Sequence, residues 1–126
     1  MDRNERNEGR VIDPPHAAAR VRFPSDSKPR FVVFVDTEEE FDWTKPQSRD
    51  ETSTETIKFL PEFQRLMDSH GARPSYLIDY PVANNAASRA IMRELVDAGN
   101  CTVGTQLHPW VNPPFSEEVC LFNSFV

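Results

Sequence analysis

The chain has 126 residues, enough for one hydrophobic core and little more. Its 14 basic and 20 acidic residues leave a net charge of −6, which argues against non-specific nucleic-acid binding. No apolar run reaches membrane-spanning length and Met1–Arg10 has no apolar signal-peptide core, so composition reads as a soluble, cytoplasmic protein with no membrane partner.

Met1 to Arg30 is polar, charged and broken by Pro14, Pro15, Pro24 and Pro29, with only Ala17-Ala18-Ala19 hinting at a helical turn. This predicts a mostly disordered leader, 1–30, in which His16 is a solvated loop residue rather than a ligand. The run Phe31-Val32-Val33-Phe34-Val35 then predicts a strand buried on both faces, as in a parallel sheet under helices. Asp36 follows it directly, where such sheets bind their ligands and where water is partly excluded. Of the acidic residues that come next, Glu39, Glu40 and Asp42 are expected to be solvated.

Lys45 to Thr52 reads as a polar loop, with Thr52, Ser53 or Thr54 capping a helix that carries Glu55 in its first turn. Ile57, Leu60, Phe63, Leu66 and Met67 give that helix one apolar face. Pro61 either kinks it or restarts it, Gly71 ends it, and His70 suits its C-terminal turn. Pro74 to Asp79 predicts a second strand. A second helix over Ala86 to Ala98 carries Ala87, Ile91, Leu95 and Ala98 on its apolar face and ends at Gly99. Cys101 to Leu107 predicts a third strand. The two thiols, Cys101 and Cys120, fit neither a zinc pattern nor a disulfide in a reducing compartment.

Alternating strands and helices predict an α/β fold with a parallel sheet. Right-handed crossovers place the three strands side by side and bring Asp36, Asp79 and His108 to one rim. The loop beyond His108 holds Pro109, Pro113 and Pro114, with Trp110 and Phe115 as candidate pocket walls. A three-stranded parallel sheet leaves apolar edges unpaired, which predicts that residues 31–126 are the front part of a larger domain. Two chemistries fit the rim. One is a divalent-metal site of zinc or a similar ion, with Asp36, Glu38 and His108 as the ligand set; the other is general acid–base catalysis without metal.

The order of apolar strand and Asp36, then Arg73-Pro74-Ser75-Tyr76-Leu77-Ile78-Asp79-Tyr80-Pro81, then Ala98-Gly99-Asn100-Cys101-Thr102-Val103-Gly104-Thr105-Gln106, resembles the opening half of polysaccharide deacetylases of the NodB-homology type. The likeness covers Phe31 to about Ser124 and is densest in DTEEEFDW and LHPWVNPPF. It implies a metal-dependent hydrolase that removes N- or O-acetyl groups from carbohydrate on the first part of a (β/α) barrel. Asp36 matches the family's catalytic base. The family's metal-binding aspartate falls on Thr37, which makes Glu38 the substitute ligand. Aligned on Gly104-Thr105, the two family histidines fall on Gln106 and Trp110; aligned on His108, the second falls on Asn112. One histidine ligand, His108, is therefore expected, with Trp110 as a wall of the sugar pocket. The family's later motifs, including its final acid histidine, are not in this sequence, so a non-catalytic carbohydrate-binding remnant is the alternative, and a plain α/β domain whose acidic loop is only solvated is a third reading. The sugar and the oligomeric state are left open.

Overall fold

The computed structural model describes residues 17–124. Residues 1–16, with His16 and most of the expected leader, lie outside the described residues. The chain divides into two units, Met1–Arg30 and Phe31–Val126. The described part of the first has one 3-10 turn, Ala17–Ala19, and a hydrogen-bonded turn from Pro24 to Ser27.

The second unit is α/β. Strand β1 (Phe34–Thr37) is followed by a 3-10 turn at Glu55–Phe59, helix α1 (Leu60–Ser69), strand β2 (Ser75–Ile78), a short helix α2 (Tyr80–Asn84), helix α3 (Ala86–Asp97) and strand β3 (Thr102–Thr105). The strands form one parallel sheet in the order β1-β2-β3, so their carboxyl ends share one edge, as the alternation of elements predicts. Phe34, Ser75 and Thr102 lie side by side, and the register runs on to Thr37, Ile78 and Thr105.

Sequence signals explain the helix limits. Pro61 restarts the helix: the 3-10 turn ends at Phe59 and α1 takes the proline into its first turn, where a missing N–H costs nothing. Asn85 caps α3 by accepting from the N–H groups of Ala87 and Ser88. Gly71 and Gly99, with φ of 64° and 81°, supply the left-handed residues after α1 and α3.

The core lies between the sheet and its helices. Ile57, Tyr76, Val82, Met92, Leu95 and Cys101 are buried together, with Val35, Leu60, Phe63, Ile78 and Ile91 packed against them. On α3 the inward stripe is Ser88, Met92 and Leu95, with Ile91 beside it, while Ala87 and Ala98 are exposed. The longer side chains take the contact and rotate the expected face by about one residue. Tyr76 is fully buried, and its hydroxyl donates to Gln64 Oε1 at 2.8 Å, so the buried amide and phenol satisfy one another.

The first strand, expected over Phe31 to Val35 and buried on both faces, instead runs from Phe34 to Thr37 and is buried on one face. Val35 and Thr37 turn toward the helices, but Phe34 is 65% exposed and Asp36 is exposed beside it. Among the described residues the helices cover only the face that carries Val35, Tyr76 and Ile78, so a continuous apolar run here is a one-sided strand. Asp36 also lies within β1 rather than beyond its end, and it is not shielded from water.

Candidate metal centre

The alternation of β1 carries past its last residue. Thr37 faces inward, Glu38 outward, and Glu39 inward again, only 2% exposed. This corrects the expectation that Glu39 is solvated. Its backbone N–H donates to Asp79 Oδ2 at 2.9 Å, while Asp79 Oδ1 accepts from Val82 N at 3.0 Å as the cap of α2. One buried carboxylate thus ties the end of β2 to the segment leaving β1. The cap is visible in sequence, since Asp79 stands two residues before Pro81 in a new helix.

His108 comes from the segment after β3 and is 3% exposed. The N–H groups of Val111 and Asn112 both bond to its carbonyl, and this turn folds Trp110 back over the imidazole. The two rings stack at 4.5 Å and 17°, and Phe41 meets both edge-on at 5.8 and 6.1 Å. Three polar groups then converge on Glu39. His108 Nδ1 lies 2.9 Å from Oε2, and Trp110 Nε1 donates to Oε1 at 3.0 Å. Asp79 is the third, with a ligand-capable atom of each of Glu39, Asp79 and His108 within 4.8 Å of the others.

Glu39 titrates far from an ordinary glutamate. Its carboxyl is raised from 4.5 to about 7, first by burial and next by its contact with Asp79, with His108 pulling it back down. When Glu39 is ionised it accepts only, so the proton of a neutral imidazole sits on Nδ1 and the lone pair on Nε2. That Nε2 faces Glu38 Oε2 at 3.5 Å. The Glu38 side chain is 24% exposed and accepts a hydrogen bond from Gln106 Nε2 at 2.9 Å.

The structure therefore brings together Glu38 and His108, two of the expected ligands, and adds Glu39, Asp79 and Gln106. It does not bring in Asp36: among the described residues no hydrogen bond or ion pair joins it to them. Trp110 is only 1% exposed, with one face on His108 and its N–H on Glu39, so it fixes the imidazole and offers little open surface to a sugar. Glu40 does different work. It bonds to Ser53 Oγ at 2.7 Å and to Thr56 N, pinning the loop after β1 to the 3-10 turn, and these hydrogen bonds lower its pKa. Of the three acids expected to be solvated, Asp42 alone is tied up in its own turn, by Thr44 and Lys45, and those same bonds hold its pKa down.

Two places fit a divalent cation, and their chemistry separates them. Glu39 and Asp79 already use their oxygens on Trp110, His108 and two backbone N–H groups, so an ion among them displaces existing bonds. On the outer side, His108 Nε2 and Glu38 present a nitrogen and an oxygen donor at a half-open position. A histidine whose Nδ1–H is held by a carboxylate is the usual second layer of a metal site. Three carboxyl groups, Glu38, Glu39 and Asp79, also stand against at most one positive charge, on His108, and a divalent ion relieves that imbalance. Comparison with protein-family profiles, with curated proteins and with solved structures finds no match.

Proposed function

We propose that this chain is a metal-dependent hydrolase of the polysaccharide-deacetylase kind, acting on acetyl groups of carbohydrate, with His108 Nε2 and Glu38 as ligands of zinc or a similar ion. The observation that carries this reading is the buried Glu39–His108 pair at 2.9 Å with Nε2 turned toward Glu38. It rests also on the likeness of the Asp36–Trp43 and Leu107–Phe115 segments to that family, in which the parallel sheet is part of a (β/α) barrel. A bound ion of this type acidifies water and polarises an acetyl carbonyl. The chain's own residues do the rest. Glu39 holds the tautomer of His108, Asp79 fixes the backbone of Glu39, and Trp110 and Phe41 keep water from the imidazole. Asp36, the base that the resemblance implies, stands exposed on the open sheet face two residues before Glu38.

The experiment is acetate release from N-acetylated and O-acetylated oligosaccharides, with and without chelator. Release that stops in chelator and on His108→Ala supports the hydrolase. A second reading, a carbohydrate-binding remnant without turnover, is favoured by one observation: Asp36 lies exposed on the open sheet face, unconnected to Glu38 and His108. Sugar binding that persists in chelator, with no acetate released from either substrate, selects it.

A further inference from the structure

Arg49 stands apart from the candidate metal centre. Its guanidinium carbon lies 5.3 Å from the centre of the Phe115 ring, which orients the planar group by a cation–π contact. Among the described residues no ion pair reaches it, although acidic residues outnumber basic ones along the chain. Its Nε is buried and finds no acceptor among the described residues; Glu51, two residues on, leaves Oε2 in the same state, yet the two do not pair. A buried N–H without an acceptor is costly; Nε is closed to solvent, so a carboxylate in the cavity would meet the guanidinium at its two Nη groups, which can also take two oxygens.

Arg49 lines a cavity of about 210 Å³ together with Trp110, Asn112, Pro113, Ser116 and Glu117, whose carboxylate accepts from Asn123 Nδ2 at 3.2 Å. That is below the roughly 300 Å³ at which pockets for drug-sized ligands begin, so it suits one ring rather than an oligomer. The lining is mixed in the way a sugar needs. Pro113 and Pro114 suit ring C–H groups. The Ser116 hydroxyl and Asn112 Oδ1 have no hydrogen-bond partner among the described residues, while Asn112 Nδ2 donates to Pro113 O.

We propose that this cavity binds a single sugar ring bearing a carboxylate, a uronic-acid unit, with Arg49 gripping the carboxylate. Trp110 lines the cavity and stacks on His108, so the bound ring lies one side chain from the candidate metal centre. The inference deepens the hydrolase reading by naming a sugar class, but Arg49 is not among the proposed ligands, and the test separates the two.

Titration calorimetry of the full chain in chelator, with glucuronate, glucose and inorganic phosphate as probes, reads the cavity whether or not metal binds. Glucuronate is expected to bind roughly tenfold or more tightly than glucose, since the carboxylate adds a charge-assisted pair. Arg49→Gln should abolish that preference, and Arg49→Lys, which keeps the charge but not the fork, should retain part of it; circular dichroism of both variants shows whether the fold is kept. Equal affinity for glucuronate and glucose overturns the proposal, as does binding unchanged in a folded Arg49→Gln chain. Phosphate bound as tightly as glucuronate also overturns it, in favour of a general anion site.

Discussion

Asp79 is the joint of the candidate site, and its replacement tests whether the joint is real. Its carboxylate takes two buried backbone N–H groups, Glu39 N at 2.9 Å and Val82 N at 3.0 Å. In Asp79→Asn the amide oxygen still serves Val82, but the amide nitrogen meets the Glu39 N–H donor to donor. Leaving that buried donor unmet costs about 2 kcal/mol. Asp79→Ala loses the helix cap as well, which adds about 1 kcal/mol, for a total of about 3 kcal/mol. Removing this carboxyl also takes away one cause of the raised Glu39 pKa and so returns some stability at neutral pH. The comparison belongs near pH 5, where Glu39 is protonated in the wild type. Urea denaturation followed by far-ultraviolet circular dichroism, with a slope of about 1.5 kcal/mol per molar for a small chain, should show midpoints lowered by roughly 1.3 M for Asn and 2 M for Ala. An Asn variant within about 0.2 M of wild type, with an unchanged slope, would refute the claim that Asp79 holds the Glu39 backbone.

Glu39 also makes stability depend on pH in a stated direction. Its folded pKa, about 7, lies above the ordinary 4.5, so the folded chain holds a proton that the unfolded chain has released. The resulting stability is fully present below pH 4.5 and is lost as pH rises toward 7, by at most about 3 kcal/mol. Metal-free wild type measured against Glu39→Gln should show this falling difference; a flat or rising one contradicts it. Tyr76→Phe removes the donor to Gln64 Oε1 and should lower stability by about 1–2 kcal/mol in the same assay, with no loss of metal binding. A cost below about 0.3 kcal/mol would mean that water reaches Gln64 Oε1, since Asp68, which accepts from Gln64 Nε2, has no hydrogen to donate.

The helices and the strand order were legible because the signals were local: Asn85 and Gly99 bracket α3, Pro61 and Gly71 bracket α1, and the strands alternate with them. The first strand was misread because Phe31 to Val35 carries no polar break, and an apolar run alone does not reveal that one face of the sheet is open. At the site, His108 and Glu38 could be picked out as donors near strand ends. Glu39 could not, because three consecutive glutamates look alike until strand alternation assigns them. One turns out, one turns in, and Glu40 closes a loop with Ser53. The Asp79 cap carried a local signature, but its second bond, to a backbone N–H 40 residues away, is tertiary and leaves no mark in sequence. The same holds for the stacking of Trp110 on His108, which turns an expected pocket wall into a brace.

Under the proposed function a divalent ion binds between His108 Nε2 and Glu38, which lie 3.5 Å apart. Calorimetric titration of Zn²⁺ into the chelator-stripped chain tests it without any sugar or turnover. One ion per chain is expected, with binding lost in His108→Ala and weakened at least roughly tenfold in Glu38→Gln. A wild-type chain that takes up no ion, or a folded His108→Ala chain that binds it as tightly as before, rules out His108 and Glu38 as the ligand pair.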